Sequence, residues 1–247
     1  MLELSASKIS CYKKCPRLYE LKYIHGLSPV TESPALSLGS EYHSKIALIL
    51  KSQSYDHTGL SGCMAEAFEK YIPFHDWGQV ETEKYFHERL SRGIYLTGYM
   101  DGVLKDGTPI EHKTTGVSSI DSYINHLAYD DQISLYLLVA GKQLAYYTII
   151  QKPRIKQKIN ESEEDYFKRL REWFTAEQVM CINVTRTQSE LYKFQEELIY
   201  LSKQIKRART FWRNPSACSL MPCAYAPICL NYTEGDQVIG YENTQSE

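Results

Sequence analysis

Apolar residues after Thr187 recur at alternating steps of three and four, which places them on one face of a helix. Thr187 and Glu190 precede this run in the T-x-x-E order of a capping box, in which each side chain binds the other residue's backbone amide. We therefore predict an amphipathic helix from Thr187 to Trp212. Its apolar face consists of Leu191, Phe194, Leu198, Leu201, Ile205, Ala208 and Trp212.

Further helices are predicted upstream of this one. They cover residues 5–25, 36–51, 62–71, 131–140 and 160–174. Ser5 or Ser7 can cap the first of them, and Gly26 follows its end. Gly141 ends the helix at 131–140 in the same way. In the segment 160–174, acidic residues come first and basic residues later, as the helix dipole favours.

Patterns rich in β-branched and aromatic residues predict strands in the middle of the chain. These strands cover residues 80–90, 94–105, 108–115 and 143–153, with an edge strand at 179–187. Lys105, Asp106 and Gly107 form the turn that joins the second and third strands into a hairpin. Along the chain, the predicted order is helices, then strands interrupted by one helix, then helices. This order predicts an α/β fold with a mixed central sheet flanked by helices.

The chain has 247 residues and a net charge of −2, which suits a globular protein and gives no overall attraction to nucleic acid. We predict one domain at 1–230, with a helical part at 1–76, a core at 77–152 and a second helical part at 153–230. Residues 231–247 contain acidic side chains and no lysine or arginine, and we expect a flexible tail. No secretory signal or apolar membrane span is seen, so we expect a cytoplasmic protein.

The predicted hairpin contains two acids and a lysine. Glu111 and Lys113 are two residues apart in a strand and therefore share a face, while His112 points to the other side. Asp101, on the preceding strand, can lie beside Glu111. Two adjacent carboxylates repel each other unless a cation lies between them, and oxygen ligands favour Mg²⁺ or Mn²⁺. Metal and lysine together suit phosphodiester hydrolysis, although a solvated surface hairpin would carry the same residues.

Residues around the hairpin give the chain a resemblance to a known family. His43 lies in a helix before the sheet, Asp101 precedes Glu111-x-Lys113, and a Q-x-x-x-Y helix follows with Gln132 and Tyr136. This order resembles the PD-(D/E)XK nuclease superfamily in its RecB-like branch, which has a restriction-endonuclease-like fold.

The resemblance implies a role for each of these residues. Asp101, Glu111, His43 and the backbone carbonyl of His112 would bind the metal. Lys113 would be catalytic, and Gln132 and Tyr136 would position the lysine or the DNA. Glu81 or Glu83 could add a further acid, of which Glu83 is preferred.

Seven cysteines without a secretory signal suggest metal binding more than disulfides. Cys218, Cys223 and Cys229 follow one another as C-x4-C-x5-C, and a fourth ligand would have to come from elsewhere. Cys15-Pro16 resembles the single N-terminal cysteine of iron–sulfur nucleases in the same branch, such as CRISPR-associated and AddB-type nucleases. The resemblance implies a [4Fe–4S] cluster that joins the two ends of the chain. Cys11 could replace Cys15, and Zn²⁺ could replace the cluster.

A local basic surface is the expected DNA contact. It combines residues at the two ends of the chain: Lys13, Lys14, Arg17, Lys203, Lys206, Arg207, Arg209 and Arg213. These side chains could equally form a solvated face. The sequence thus predicts a metal-dependent DNA nuclease, an exonuclease of little sequence specificity, in a bacterial, archaeal or phage-infected cell. A helicase or recombination partner is a further expectation, and a non-catalytic DNA-binding subunit is the alternative.

Overall fold

The structure is a computed structural model that describes residues 1–30, 34–116, 120–220 and 223–244. Its strands are β1 (Leu2–Leu4), β2 (Leu27–Pro29), β3 (Val80–Ser91), β4 (Ile94–Leu104), β5 (Pro109–Thr115), β6 (Leu144–Gln151), β7 (Val179–Thr185) and β8 (Tyr241–Asn243). Its α-helices are α1 (Ala6–Lys14), α2 (Pro16–Tyr19), α3 (Pro34–Leu50), α4 (Gly59–Tyr71), α5 (Ile120–Ile124), α6 (Asp131–Ala140), α7 (Glu163–Trp173), α8 (Gln188–Arg207) and α9 (Pro215–Leu220). The α/β architecture with a mixed sheet is confirmed.

The chain forms two compact units, each built from separate stretches of sequence. The first comprises Met1–Ser33, Glu88–Thr97 and Glu196–Glu247, and the second comprises Pro34–His87 and Gly98–Gln195. Every predicted catalytic residue lies in the second unit, and the four cysteines assigned to a cluster lie in the first.

The second unit is built on the central sheet. β4 and β5 are antiparallel, with Gly102 opposite Ile110, whereas β5 and β6 are parallel, with Glu111 opposite Tyr147. β7 pairs antiparallel with β6 at the edge, as the sequence predicted. Because β5 and β6 run the same way, the chain between them must cross over, and α5 and α6 form this crossover.

Apolar side chains from α3, α4 and α7 form a core with the ends of β6 and β7. Tyr42, Phe68, Ile150 and Leu170 are fully buried members of this core. The helix α4 packs so closely on the preceding loop that a Cβ at Gly62 would lie 2.2 Å from the carbonyl oxygen of His57. These contacts position α3, which carries His43, in the second unit.

In the first unit, hydrogen bonds and a small sheet hold the two chain ends together. β1 pairs in parallel with Ile94–Leu96 of β4, and β2 pairs antiparallel with β8. The guanidinium of Arg17 donates to the carbonyl oxygens of Cys229 and Tyr232, and the side-chain amide of Asn214 donates to the carbonyl of Lys14.

The first predicted helix, 5–25, is wrong as one continuous element. Ser5 caps it as expected, but α1 ends at Lys14 and Cys15 is extended. The reason is Pro16, because a proline disfavours helical geometry in the residue before it while suiting the first position of the next helix. α2 then starts at Pro16 and passes into a π-helical turn at Glu20–Ile24.

Two further boundaries differ from the sequence predictions. The helix α8 ends at Arg207 rather than Trp212, whose backbone carbonyl instead accepts a hydrogen bond of 3.0 Å from the amide of Arg17. The segment 231–247, predicted as a flexible tail, contains β8 paired with β2. Within the described residues, no helix is both long and apolar enough to cross a bilayer.

Candidate active site

Asp101 lies near the end of β4, where its carboxylate has partners from two elements. Its Oδ2 accepts a hydrogen bond of 2.8 Å from the backbone amide of His112, and Nδ1 of His43 lies 3.3 Å from its Oδ1. Burial would raise the pKa of Asp101, but the hydrogen bond and charge of His43, with help from His112, lower it to about 2. The side chain is therefore a carboxylate at neutral pH.

Glu111 and Lys113 form an ion pair on one side of β5, as their spacing predicted. Oε1 of Glu111 accepts a hydrogen bond from the Lys113 ammonium, whereas its Oε2 is buried and accepts none from any described residue. Burial and the nearby charge of Asp101 raise the pKa of Glu111, although Lys113 opposes them. Glu111 is only 1% exposed. Its carboxylate is therefore buried, although Oε2 has no hydrogen-bond partner among the described residues.

The helix α6 brings Gln132 and Tyr136 to this pair. Asp130 caps the helix by accepting hydrogen bonds from the backbone amides of Gln132 and Ile133. Lys113 donates to Oε1 of Gln132 at 2.8 Å, and Nε2 of Gln132 donates to the Tyr136 hydroxyl at 2.8 Å. The Tyr136 hydroxyl in turn donates to the backbone carbonyl of Tyr99 at 2.6 Å.

These contacts form a continuous chain of hydrogen bonds from Glu111 to the backbone of β4. Burial raises the pKa of Tyr136, which keeps its hydroxyl protonated and able to donate. Burial lowers the pKa of Lys113, but the adjacent Glu111 charge outweighs it and the net shift is upward. Lys113 is therefore an ammonium ion at neutral pH.

The ring of His112 points away from Glu111 and Lys113, as strand alternation predicted. Its Nδ1 lies 2.6 Å from the Thr148 hydroxyl, and the ring packs edge-on against Phe68. Burial lowers the pKa of His112 to about 4, so the ring is neutral at pH 7. This leaves only the backbone of His112 on the side of Asp101.

Of the two weaker acidic candidates, Glu83 lies near the site. Glu81 is exposed and pairs with Lys84 at 2.7 Å. The backbone of Glu83 has a φ of 53°, which is uncommon for a residue other than glycine and locally redirects the strand. Burial raises the pKa of Glu83, and the charge of Asp101 adds to this effect.

The sequence did not identify two contributors to the network. Asp130 caps α6 two residues before Gln132, and the carbonyl of Tyr99 accepts a hydrogen bond from the Tyr136 hydroxyl. An aspartate before an apolar helix is a recognisable capping signal. A backbone acceptor such as that of Tyr99 leaves no trace in the sequence.

The donor set suits a hard divalent cation. In the part of the chain that the structure describes, no three histidine, cysteine, aspartate or glutamate side chains converge closely enough to enclose a metal. However, the unpartnered Oε2 of Glu111 and the ionised Asp101 interact electrostatically. Carboxylate oxygens with a carbonyl and water complete the coordination that Mg²⁺ prefers. The residues present thus fit Mg²⁺ or Mn²⁺ in chemical kind.

The four predicted cluster cysteines line one cavity of about 280 Å³ in the first unit. They are Cys15, Cys218, Cys223 and Cys229. Among the described residues, no three cysteine side chains lie close enough together to hold a metal. The structure therefore does not show the expected metal cluster between the chain ends. Cys11 does not line this cavity. Sγ of Cys15 instead accepts a hydrogen bond from the backbone amide of Asn214 at 3.4 Å.

Some of the residues expected to contact DNA have internal partners in the first unit. Lys13 pairs with Glu197 at 2.7 Å, and Arg17 pairs with Glu20 in addition to the two carbonyls that it binds. Lys206 donates to the carbonyl of Gly93 at 3.3 Å. Arg17 is therefore chiefly a structural residue that ties the chain ends together.

Comparisons with solved structures found several chains that are similar to this one to different degrees. SSO0001 superposes with a TM-score of 0.52 at 13% identity, over 93% of this chain and 87% of that one. A phage-related exonuclease from Haemophilus somnus 129PT has a TM-score of 0.43 at 12% identity, over 83% and 93% of the two chains. The alkaline exonuclease LHK-Exo from Laribacter hongkongensis has a TM-score of 0.37 at 14% identity, over 83% and 90%.

At 13% identity, the similarity to SSO0001 supports the fold, and it carries no information on activity or on the roles of individual residues. A comparison with curated proteins found no match. The family comparison is more informative, because the sequence profile of the PD-(D/E)XK nuclease superfamily matches residues 3–72 and 49–230. These two overlapping ranges cover nearly the whole chain and include every residue of the site described above. The chain therefore belongs to the PD-(D/E)XK nuclease superfamily.

Proposed function

We propose that this protein is a metal-dependent deoxyribonuclease that hydrolyses phosphodiester bonds, and that it acts as an exonuclease. The observation that carries the proposal is the buried Oε2 of Glu111, which lacks a partner among the described residues while Asp101 and Lys113 lie beside it. Leaving a buried carboxylate oxygen unpartnered is costly unless a ligand uses it. The choice of exonuclease follows the resemblance of the sequence motifs.

Asp101 and Glu111 would hold Mg²⁺ or Mn²⁺ through their carboxylates, with the backbone carbonyl of His112 and the ring of His43 as further ligands. The bound ion supplies a Lewis acid for the phosphoryl group and a more acidic water. The hydrogen bond from the His112 amide fixes the orientation of Asp101. Such support of a metal-binding carboxylate would keep its Oδ1, on the side of His43, directed at the ion.

Lys113 would stabilise negative charge on the reacting phosphate. Its raised pKa keeps it protonated, which favours this electrostatic role over that of a general base. Gln132 holds the ammonium in place, and Tyr136 holds Gln132. The water that attacks the phosphorus would lose its proton to solvent or to a phosphate oxygen, since Lys113 already carries its own.

The test is cleavage of end-labelled single- and double-stranded DNA in Mg²⁺, Mn²⁺ or EDTA. We expect degradation with either metal, none in EDTA, and none by Lys113→Ala. Lys105→Ala, which removes an exposed lysine from the turn of the same hairpin, is the matched control and should cleave normally. Products that shorten progressively from one end would identify an exonuclease, whereas early internal fragments would contradict that part of the proposal.

The cysteine cavity has a separate proposed role. Cys15, Cys218, Cys223 and Cys229 would hold a [4Fe–4S] cluster or, as the alternative, Zn²⁺. Support comes from the four thiols that border a single cavity, a donor set suited to either group. Because both chain ends contribute to this cavity, the bound group would stabilise the first unit and take no part in the hydrolysis.

A further inference from the structure

Two exposed tyrosines lie against each other on neighbouring strands of the second unit. Tyr85 in β3 and Tyr99 in β4 have ring centroids 5.1 Å apart. They are 54% and 58% exposed, so neither ring is part of a hydrophobic core. Exposed aromatic rings in contact present a broad apolar surface to the solvent, and we call these two residues the tyrosine pair.

The tyrosine pair lies on the same side of the sheet as the metal-binding carboxylates. Tyr99 precedes Asp101 by two residues, and side chains two apart in a strand share a face. Burial agrees with this alternation, since the intervening Met100 is 3% exposed. Two residues of a strand span about 7 Å, so Tyr99 lies close to Asp101 along β4.

The backbone beneath the pair is fixed by the active-site network. The carbonyl of Tyr99 accepts the hydrogen bond from Tyr136, which is linked through Gln132 to Lys113. On the adjacent residue, a Cβ at Gly98 would lie 3.0 Å from the ring of Phe86, so this ring packs directly on the strand. The tyrosine pair is therefore held at a fixed position relative to the catalytic lysine.

We propose that the tyrosine pair stacks on an unpaired base of the DNA strand whose phosphate lies at Asp101 and Glu111. This inference rests on the proposed nuclease function and adds a substrate class to it, namely single-stranded or frayed DNA. Aromatic side chains beside a backbone-binding site are suited to unpaired bases, because every base presents a face that can stack. A base within a duplex is already stacked and paired, so it would have to be released first.

The experiment measures binding and cleavage separately. Binding of single-stranded and blunt duplex DNA is measured by fluorescence anisotropy in Mg²⁺, in a Lys113→Ala background that prevents cleavage, for Tyr85→Leu, Tyr99→Leu and the double variant. Tyr99→Phe retains a ring that can stack. Tyr192→Leu alters a tyrosine of α8 that is 59% exposed and serves as the control. Cleavage kinetics are measured with the same tyrosine changes and an intact Lys113.

We expect the double leucine variant to bind single-stranded DNA about tenfold or more weakly, with Tyr99→Phe and Tyr192→Leu unchanged. KM for single-stranded DNA should rise more than kcat falls, and duplex binding should change less. Leucine variants that bind like Tyr192→Leu, or that lose single-stranded and duplex binding equally, would overturn the proposal.

The two proposals fail in different ways. If the stacking proposal is wrong, the leucine variants will cleave single-stranded DNA at the normal rate. If the nuclease proposal fails, the wild-type protein does not cleave DNA, but the tyrosine variants can still be compared by anisotropy, and weaker binding of single-stranded DNA by the leucine variants would support the stacking role by itself.

Discussion

The backbone amide of His112 donates a 2.8 Å hydrogen bond to Oδ2 of Asp101. This contact links the two strands of the hairpin at the point where the carboxylates meet. The two oxygens of Asp101 therefore have different partners, because Nδ1 of His43 lies 3.3 Å from Oδ1. The middle residue of the E-x-K motif thus acts through its backbone, while its ring is part of the buried core.

Asp101→Asn should abolish cleavage and leave the fold intact. An asparagine oxygen can still accept the hydrogen bond from His112, but the charge that attracts the metal is lost. We expect cleavage to fall by more than about 100-fold, since even residues behind a metal ligand cost 10- to 100-fold when removed. Cleavage assays with a thermal unfolding curve test this. Normal cleavage by the variant would remove Asp101 from the metal site.

Gln132→Leu should lower kcat by about 10- to 100-fold with little change in KM. The leucine cannot accept the hydrogen bond of Lys113, so the ammonium is no longer held on both sides. Tyr136→Phe retains that bond and removes only the contacts of its hydroxyl, so its effect should be smaller. Steady-state kinetics of both variants give the comparison, and a larger effect in Tyr136→Phe would contradict the proposed order of the network.

The metal-free protein should lose stability in acid through Asp101. Its pKa falls from 3.8 to about 2 on folding, so the carboxylate stabilises the fold above pH 3.8 and this contribution is lost as the pH falls towards 2. One pKa unit corresponds to about 1.4 kcal/mol, which gives about 2 kcal/mol for this shift. Urea unfolding between pH 5 and pH 2 measures it. Asp101→Asn should flatten the curve, and an identical pH dependence in the variant would refute the assignment.

Binding of Mn²⁺ should strengthen as the pH rises. Burial and the charge of Asp101 raise the pKa of Glu111, so protons compete with the metal for this carboxylate at a higher pH than they would for an exposed glutamate, and affinity should increase by at most about tenfold per pH unit as the pH rises through that pKa. Isothermal titration calorimetry at several pH values measures the slope. Glu111→Gln should bind weakly with a flatter slope, whereas Glu88→Gln, which alters an exposed residue of β3, should resemble the wild type.

Cys15→Ser and Cys223→Ser should lose the metal of the first unit, whereas Cys11→Ser should retain it. The reason is position, because Cys15 and Cys223 line the cavity and Cys11 does not. Iron, zinc and sulfide analysis of protein purified without oxygen distinguishes the cluster from Zn²⁺. Full metal content in Cys223→Ser would refute its role as a ligand, and loss in Cys11→Ser would show that the cavity is not the binding site.

Much of this fold is local and was therefore predictable from sequence. The spacing of Glu111 and Lys113 on one strand, the glycine that ends α6 and the capping box of Thr187 each depend on neighbours within a few residues. Their periodicities and caps act before any distant contact forms. The strands β1, β2 and β8 are only three residues long, too short for such a pattern, and form because distant partners complete them.

The sequence by itself determined which residues carry the chemistry: two acids, a lysine, a glutamine and a tyrosine in a fixed order, with cysteines near both ends. Only the tertiary structure decided how they interact. Burial shifts the pKa of Glu111 upward while His43 holds that of Asp101 down, and the Tyr99 carbonyl completes the network. The physical reason is that desolvation and charge depend on what surrounds a side chain, and residues far apart in the chain supply those surroundings.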